Sequence, residues 1–99
     1  MVKVVWTEKA LSDLQDIGNY ISKDSMKYAK LTLEKLVNTE SIIAINPLIG
    51  RTVPEKNDKA IREIIKGNYR IIYQIRSETA VFILTIFHSS RLLTENPLK

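Results

Sequence analysis

Residues 61–76, IREIIKGNYRIIYQIR, decide how this chain folds. Gly67-Asn68 stands between two runs that alternate apolar with other side chains, and a Gly-Asn pair in that setting is a two-residue hairpin turn. The turn sets a register in which Lys66 pairs with Tyr69, Ile65 faces Arg70 and Glu63 faces Ile72. In the second strand Tyr69, Ile71, Tyr73 and Ile75 share one face, while Arg70, Ile72, Gln74 and Arg76 share the other. Arg70 then lies diagonally across from Glu63, within reach of a long side chain, and their pairing is a structural reason for an arginine at that place.

Working outward, AVFILTIFH (80–88) follows through Ser77, Glu78 and Thr79 and is apolar on both alternations. A strand of that kind is central and covered on both sides. The turn before it is weakly specified, and one residue more or less would flip its faces, so the face of His88 is open at this level. Upstream, PLIGRTVPEKNDK (47–59) is dense in turn formers and charge and reads as a loop. Ahead of it, Asp24 or Ser25 caps a helix with Ala29, Leu33, Leu36, Val37, Ile43 and Ala44 inward, stopping before Pro47. An earlier helix, about Glu8 to Ser22, is capped by Thr7 and carries a stripe of Ala10, Leu14, Ile17 and Ile21 with Leu11 beside it. Val2 to Trp6, VKVVW, is a first strand. The short KDS link folds the helices back on each other. The expected fold is α+β, order β-α-α-β-β-β, with a two-helix hairpin on one face of an antiparallel sheet. Residues 1–99 make one domain.

Composition narrows the chemistry. With 44% hydrophobic and 26% charged residues the chain has the balance of a globular domain. It has no cysteine and one histidine, so neither a disulfide nor a structural zinc is expected, and no metal or cofactor is assigned. No apolar run approaches the roughly 20 residues that span a bilayer, and the N-terminus does not resemble a signal peptide, so a cytoplasmic protein is expected. Residues 1–49 balance six lysines against six acids, while residues 50–99 hold nine basic residues against five acids and all five arginines. Arginine forks suit phosphates and carboxylates, which makes the second half a candidate anion-binding surface; a merely solvated basic half is the plainer alternative.

The sheet face opposite the helices, with the loop and the C-terminal segment, is expected to gather Arg51, Glu55, Arg62, Arg70, His88 and Arg91. Glu, His and Arg are suitable for cleaving RNA through its 2'-hydroxyl, as base, acid and cation, without metal. Arg62 falls on the alternation of Ile64 and Tyr73 and suits a carboxylate partner better than a phosphate. Phosphate loops and nucleophile elbows are absent: Gly18, Gly50 and Gly67 are isolated. Tyr69 and Tyr73 are expected in the core, Tyr20 and Tyr28 in packing or an interface.

Taken in order, A-L-S-D-L-Q-D-I-G-N-Y-I, P-L-I-G-R-T-V-P-E, the pair R-E, G-N-Y-R-I-I-Y-Q-I and F-H-S-S-R-L-L resemble the RelE/ParE superfamily of toxin–antitoxin toxins, from Val2 to about Leu93. The resemblance implies the toxin of a type II system that arrests growth when free of its antitoxin, the two forming a hetero-oligomer. Its long helical hairpin is more like ParE, found in plasmid stabilisation, which poisons DNA gyrase; Arg51, Arg70, His88 and Arg91 are then structural or target-binding, and Arg51, Arg62 and Arg91 are assigned to nucleic-acid or target contact. Similarity to RelE- and YoeB-like members instead implies a ribosome-dependent mRNA endoribonuclease, with Glu55 as base, Arg70 as phosphate-binding cation and His88 at the end of the last strand. The aromatic that follows that histidine in YoeB-like toxins is replaced here by Ser89 and Ser90. Antitoxin contact is assigned to Leu11, Tyr20, Tyr28 and Arg70. A non-toxic binding module is the alternative of another class. On either toxin reading, Arg70→Ala is expected to leave the fold nearly intact.

Overall fold

The computed structural model of the chain describes residues 1–90. Its elements are β1 (Lys3–Trp6), α1 (Glu8–Ser22), α2 (Met26–Val37), α3 (Thr39–Ile45), β2 (Arg51–Thr52), β3 (Ile61–Lys66), β4 (Tyr69–Ile75) and β5 (Ala80–His88). The five strands form one sheet in the order β1-β5-β4-β3-β2. The α+β architecture expected from the sequence stands, with three refinements.

First, the sheet is mixed. β1 runs parallel to β5, Val4 opposite Val81 and Trp6 opposite Ile83, because the helices carry the chain across before it returns. Trp6 Nε1 donates to Glu40 at 2.6 Å and the Val2 amide to Ala44 O, which ties this edge strand to α3. Second, the loop expected over 47–59 contains a two-residue strand, β2, paired with β3. Third, the second helix is interrupted at Asn38. There Thr39, fully buried, turns its hydroxyl back to Leu36 O at 2.6 Å, a bond that competes with the helical ladder. Val37, expected inward, is left 45% exposed.

The first helix begins and ends as its pattern requires: the Thr7 hydroxyl accepts from the Ala10 amide, and Ser25 caps α2 by accepting from Tyr28. Between β3 and β4, Gly67 has φ +59, which the turn demands and a side chain would resist. The register is the one the turn predicts, Lys66 opposite Tyr69 and Ile65 opposite Arg70.

Two apolar layers result. On the helix side Ala10, Leu36, Ile43, Ile71, Tyr73, Val81, Ile83 and Ile86 pack together. The Tyr73 hydroxyl donates to Pro47 O at 2.7 Å and accepts from the Gly50 amide at 2.9 Å, which fixes the loop over the edge of this core. Burial pushes that phenol above its ordinary pKa. On the far side Val53, Ile72, Leu84 and Phe87 form a smaller cluster with Ile61 and Phe82. The far face is therefore partly covered, since the loop after β2 lays Val53 across it.

Candidate functional site

Arg70 stands on the far face, opposite Phe87, with its guanidinium 5.2 Å from that ring. It is buried and doubly engaged. Glu55, brought in by the loop, clamps it end-on with two bonds, Nη1 to Oε2 at 2.7 Å and Nη2 to Oε1 at 2.9 Å. Glu63 on β3 takes the side edge through Nε at 2.6 Å. The other oxygen of Glu63 accepts from Arg51 Nε at 2.5 Å. Glu63 is 1% exposed, and the row Arg51–Glu63–Arg70–Glu55 alternates in sign and sums to zero. Bidentate clamping is the geometry in which an arginine fork holds a carboxylate most firmly. The Glu55 bond, before all else, raises the Arg70 pKa above its ordinary value, against the desolvation that lowers it.

These positions correct the expectation of an open, solvated arginine face. Arg70 is shielded, and removing it would leave Glu63 as a buried charge held only by the exposed Arg51. The prediction that Arg70→Ala spares the fold accordingly fails on physical grounds.

The other predicted residues are dispersed. Arg62, on the helix-side alternation, donates to Gly50 O at 2.9 Å and steadies the same loop as Tyr73, its Nε buried without a hydrogen bond. Arg51 is the outermost member of the row. Leu11, Tyr20 and Tyr28 are exposed on the helices, whereas Arg70, grouped with them in the sequence reading, lies on the other side of the sheet. Arg91 lies outside the described residues.

His88 leaves the far face through a bulge. Ile75 to Tyr73 pair with Val81 to Ile83, but Ile72 pairs with Thr85, so one residue is inserted in β5 and the parity changes. His88 consequently lies opposite Tyr69, not on the face of Arg70, and the two rings meet edge-on with centroids 5.7 Å apart. Asp13 of α1 seats the bulge, accepting from the Thr85 hydroxyl and, at 3.0 Å, from the Ile86 amide. Thr7 donates its hydroxyl to Ile83 O at 2.8 Å just before it. Beside His88, a cleft of about 690 Å³ opens between α1 and the ends of β4 and β5, lined by Lys9, Asp13, Asp16, Tyr20, Tyr69 and His88 among others. The sequence reading passed over Asp13 and Asp16. Their signal was two carboxylates at the spacing that joins them to Ile17 and Tyr20 on one helix face.

Among the described residues no group of His, Cys, Asp and Glu could hold a metal ion, and no helix is long and apolar enough to cross a membrane.

The family model for the ParE toxin of type II toxin–antitoxin systems, parDE, matches residues 4–93. The chain belongs to this ParE toxin family. The candidate toxin Y4kP of Sinorhizobium fredii (strain NBRC 101917 / NGR234) is 30% identical over 87 residues, 88% of each chain. Among solved structures, a chain of the chromosomal ParDE system of P. aeruginosa superimposes with TM-score 0.73 at 19% identity, covering 89% of this chain and 96% of its own. A chain of the RelBE2 toxin–antitoxin complex of Mycobacterium tuberculosis gives TM-score 0.64 at 24% identity, over 88% and 96%. At these identities the two structures speak for the fold. The ParE-family fold thus holds the conspicuous Arg70 in an internal ion row and sends His88 to the opposite side of the sheet.

Proposed function

We propose that this ParE-family toxin acts in the cytoplasm by poisoning DNA gyrase, and that a cognate antitoxin protein covers the exposed helical residues Leu11, Tyr20 and Tyr28 to silence it. The observation that carries the reading is that the base and cation a ribonuclease would need, Glu55 and Arg70, are locked to each other in the ion row, with His88 apart from both. A base and a cation acting on one scissile phosphate must face the same substrate from hydrogen-bonding distance. Here the Arg70 fork is occupied by Glu55 and Glu63, and the imidazole of His88 is across the sheet. Inhibition by binding makes no such demand of these side chains. The loop after β2 carries the exposed Lys56 and Lys59, which with the exposed Arg51 at its start offer cationic groups for a DNA-bound target.

The test uses the purified full chain in two reconstituted reactions: gyrase supercoiling with detection of cleaved DNA, and translating ribosomes with a defined mRNA. The expected result is trapped, cleaved DNA with intact mRNA. Ribosome-dependent cleavage of the mRNA with gyrase unaffected would replace this reading by the endoribonuclease one, and silence in both assays together with no growth arrest on induction would leave a binding module.

A further inference from the structure

The cleft beside His88 enters the gyrase reading only through Tyr20 at its rim, which that reading gives to the antitoxin. Asp13, Asp16, Ile17 and Tyr20 follow one another at three- and four-residue steps and form its α1 wall. Tyr69 and His88, paired across β4 and β5, form the other. The charges can be followed one at a time. Lys9 is matched by Asp13 in an i, i+4 ion pair, and the second oxygen of Asp13 is taken by the bulge. Asp16 makes no ion pair or hydrogen bond among the described residues and is exposed to the cleft. In a chain of net charge +4, this concave spot therefore holds one carboxylate that no cation matches among the described residues.

Around that charge stand aromatic groups. Tyr20, 72% exposed, and Tyr69 both line the cleft, and the Tyr69 phenol is raised above its ordinary pKa by burial first and by the nearby Tyr28 and Tyr20 phenols after it. The two tyrosine rings offer π faces that attract a cation, and the carboxylate supplies the counter-charge. An anion would meet Asp16, so phosphate does not fit. A planar guanidinium fits best, because it can stack on a ring and donate to a carboxylate at the same time. We propose that this cleft is a receptor for an arginine side chain presented by a partner polypeptide. Such an anchor, a planar cation in an aromatic-lined pocket, is the kind of residue that carries binding energy and fixes register in a protein interface. The occupant is inferred from charge and ring chemistry, independently of whether gyrase is the target.

The experiment titrates the isotopically labelled full chain with N-acetyl-arginine amide and, in parallel, with its uncharged isostere N-acetyl-citrulline amide, following ring resonances of Tyr20, Tyr69 and His88 by NMR. Saturable shifts at these rings with arginine and none with citrulline are expected. Asp16→Asn, at an exposed position, should keep the native spectrum and weaken arginine binding about tenfold or more, while Glu34→Gln, an exposed α2 carboxylate outside this cleft, should change nothing. Absence of saturable shifts, equal response to citrulline, full binding by Asp16→Asn, or equal weakening by Glu34→Gln would each overturn the proposal, the last by reducing it to diffuse attraction.

Discussion

At the scale of single residues, the row from Arg51 to Glu55 shows what an arginine on an apolar strand does in this fold. Neither Glu63 nor Arg70 could be buried alone, because the desolvation of an isolated charge exceeds anything its packing returns. Held together, with Glu55 closing the outer side, each is tolerated. Arg70→Ala is therefore expected to destabilise the chain by about 3–5 kcal/mol, the usual cost of stranding a buried partner. Arg70→Met combined with Glu63→Leu should recover most of that loss, since both charges then leave together. Urea unfolding of the three chains checks this, and a shift within about 0.5 kcal/mol for Arg70→Ala would mean that the site is as solvated as an ordinary surface position. Half of this arrangement was legible in the sequence. The Gly67-Asn68 turn places Glu63 diagonal to Arg70 by local geometry alone, but Glu55 arrives from a loop whose path leaves no periodic trace, so the burial of the pair was not legible.

At the scale of elements, the deciding feature is the bulge in β5. Without the inserted residue the register of Tyr73 with Ile83 would continue, and His88 would fall on the face of Arg70; with it, His88 moves to the side of the helices. Sequence patterning could not see this, because β5 is apolar on both alternations and carries no mark of where its parity changes. The mark is on another element, in Asp13 of α1, whose carboxylate accepts from the Thr85 hydroxyl and from the Ile86 amide. A carboxylate so placed is part of the strand's geometry as much as of the helix. Asp13→Ala should cost about 1–3 kcal/mol by leaving donors unsatisfied in a half-buried place. Amide exchange at Ile86 should accelerate beyond what that global loss explains, and the Tyr69–His88 ring contact should loosen with it. An Ile86 amide that exchanges no faster than its neighbours in Asp13→Ala would show that the bulge is held by the sheet itself.

At the scale of the whole molecule, the helical hairpin and the β3–β4–β5 meander were legible because each is built from neighbours in sequence, with caps at Thr7 and Ser25 and a turn at Gly67. What was not legible is how the chain's start closes the sheet. The pairing of β1 with β5 joins residues some 77 positions apart, Lys3 with Ala80 to Trp6 with Ile83, and nothing in VKVVW states whether its partner runs parallel or antiparallel. The same pairing has the largest consequence for the fold as a unit. β5 is the most buried strand, and among the described residues β1 is the strand paired with its outer edge, over Ala80 to Ile83; Thr7, just beyond it, also holds Ile83 and Leu84 through its hydroxyl. An uncovered, apolar edge of that length invites another chain to pair with it. Removing residues 2–6 should thus do more than subtract one short strand. It should abolish the single cooperative unfolding transition and produce self-association in sedimentation, since the exposed row of β5 amides and carbonyls would find partners between molecules. A truncated chain that stays monomeric and unfolds in one sharp step would show instead that the meander and helices fold without the strand, and that β1 is an addition to a sheet complete in itself.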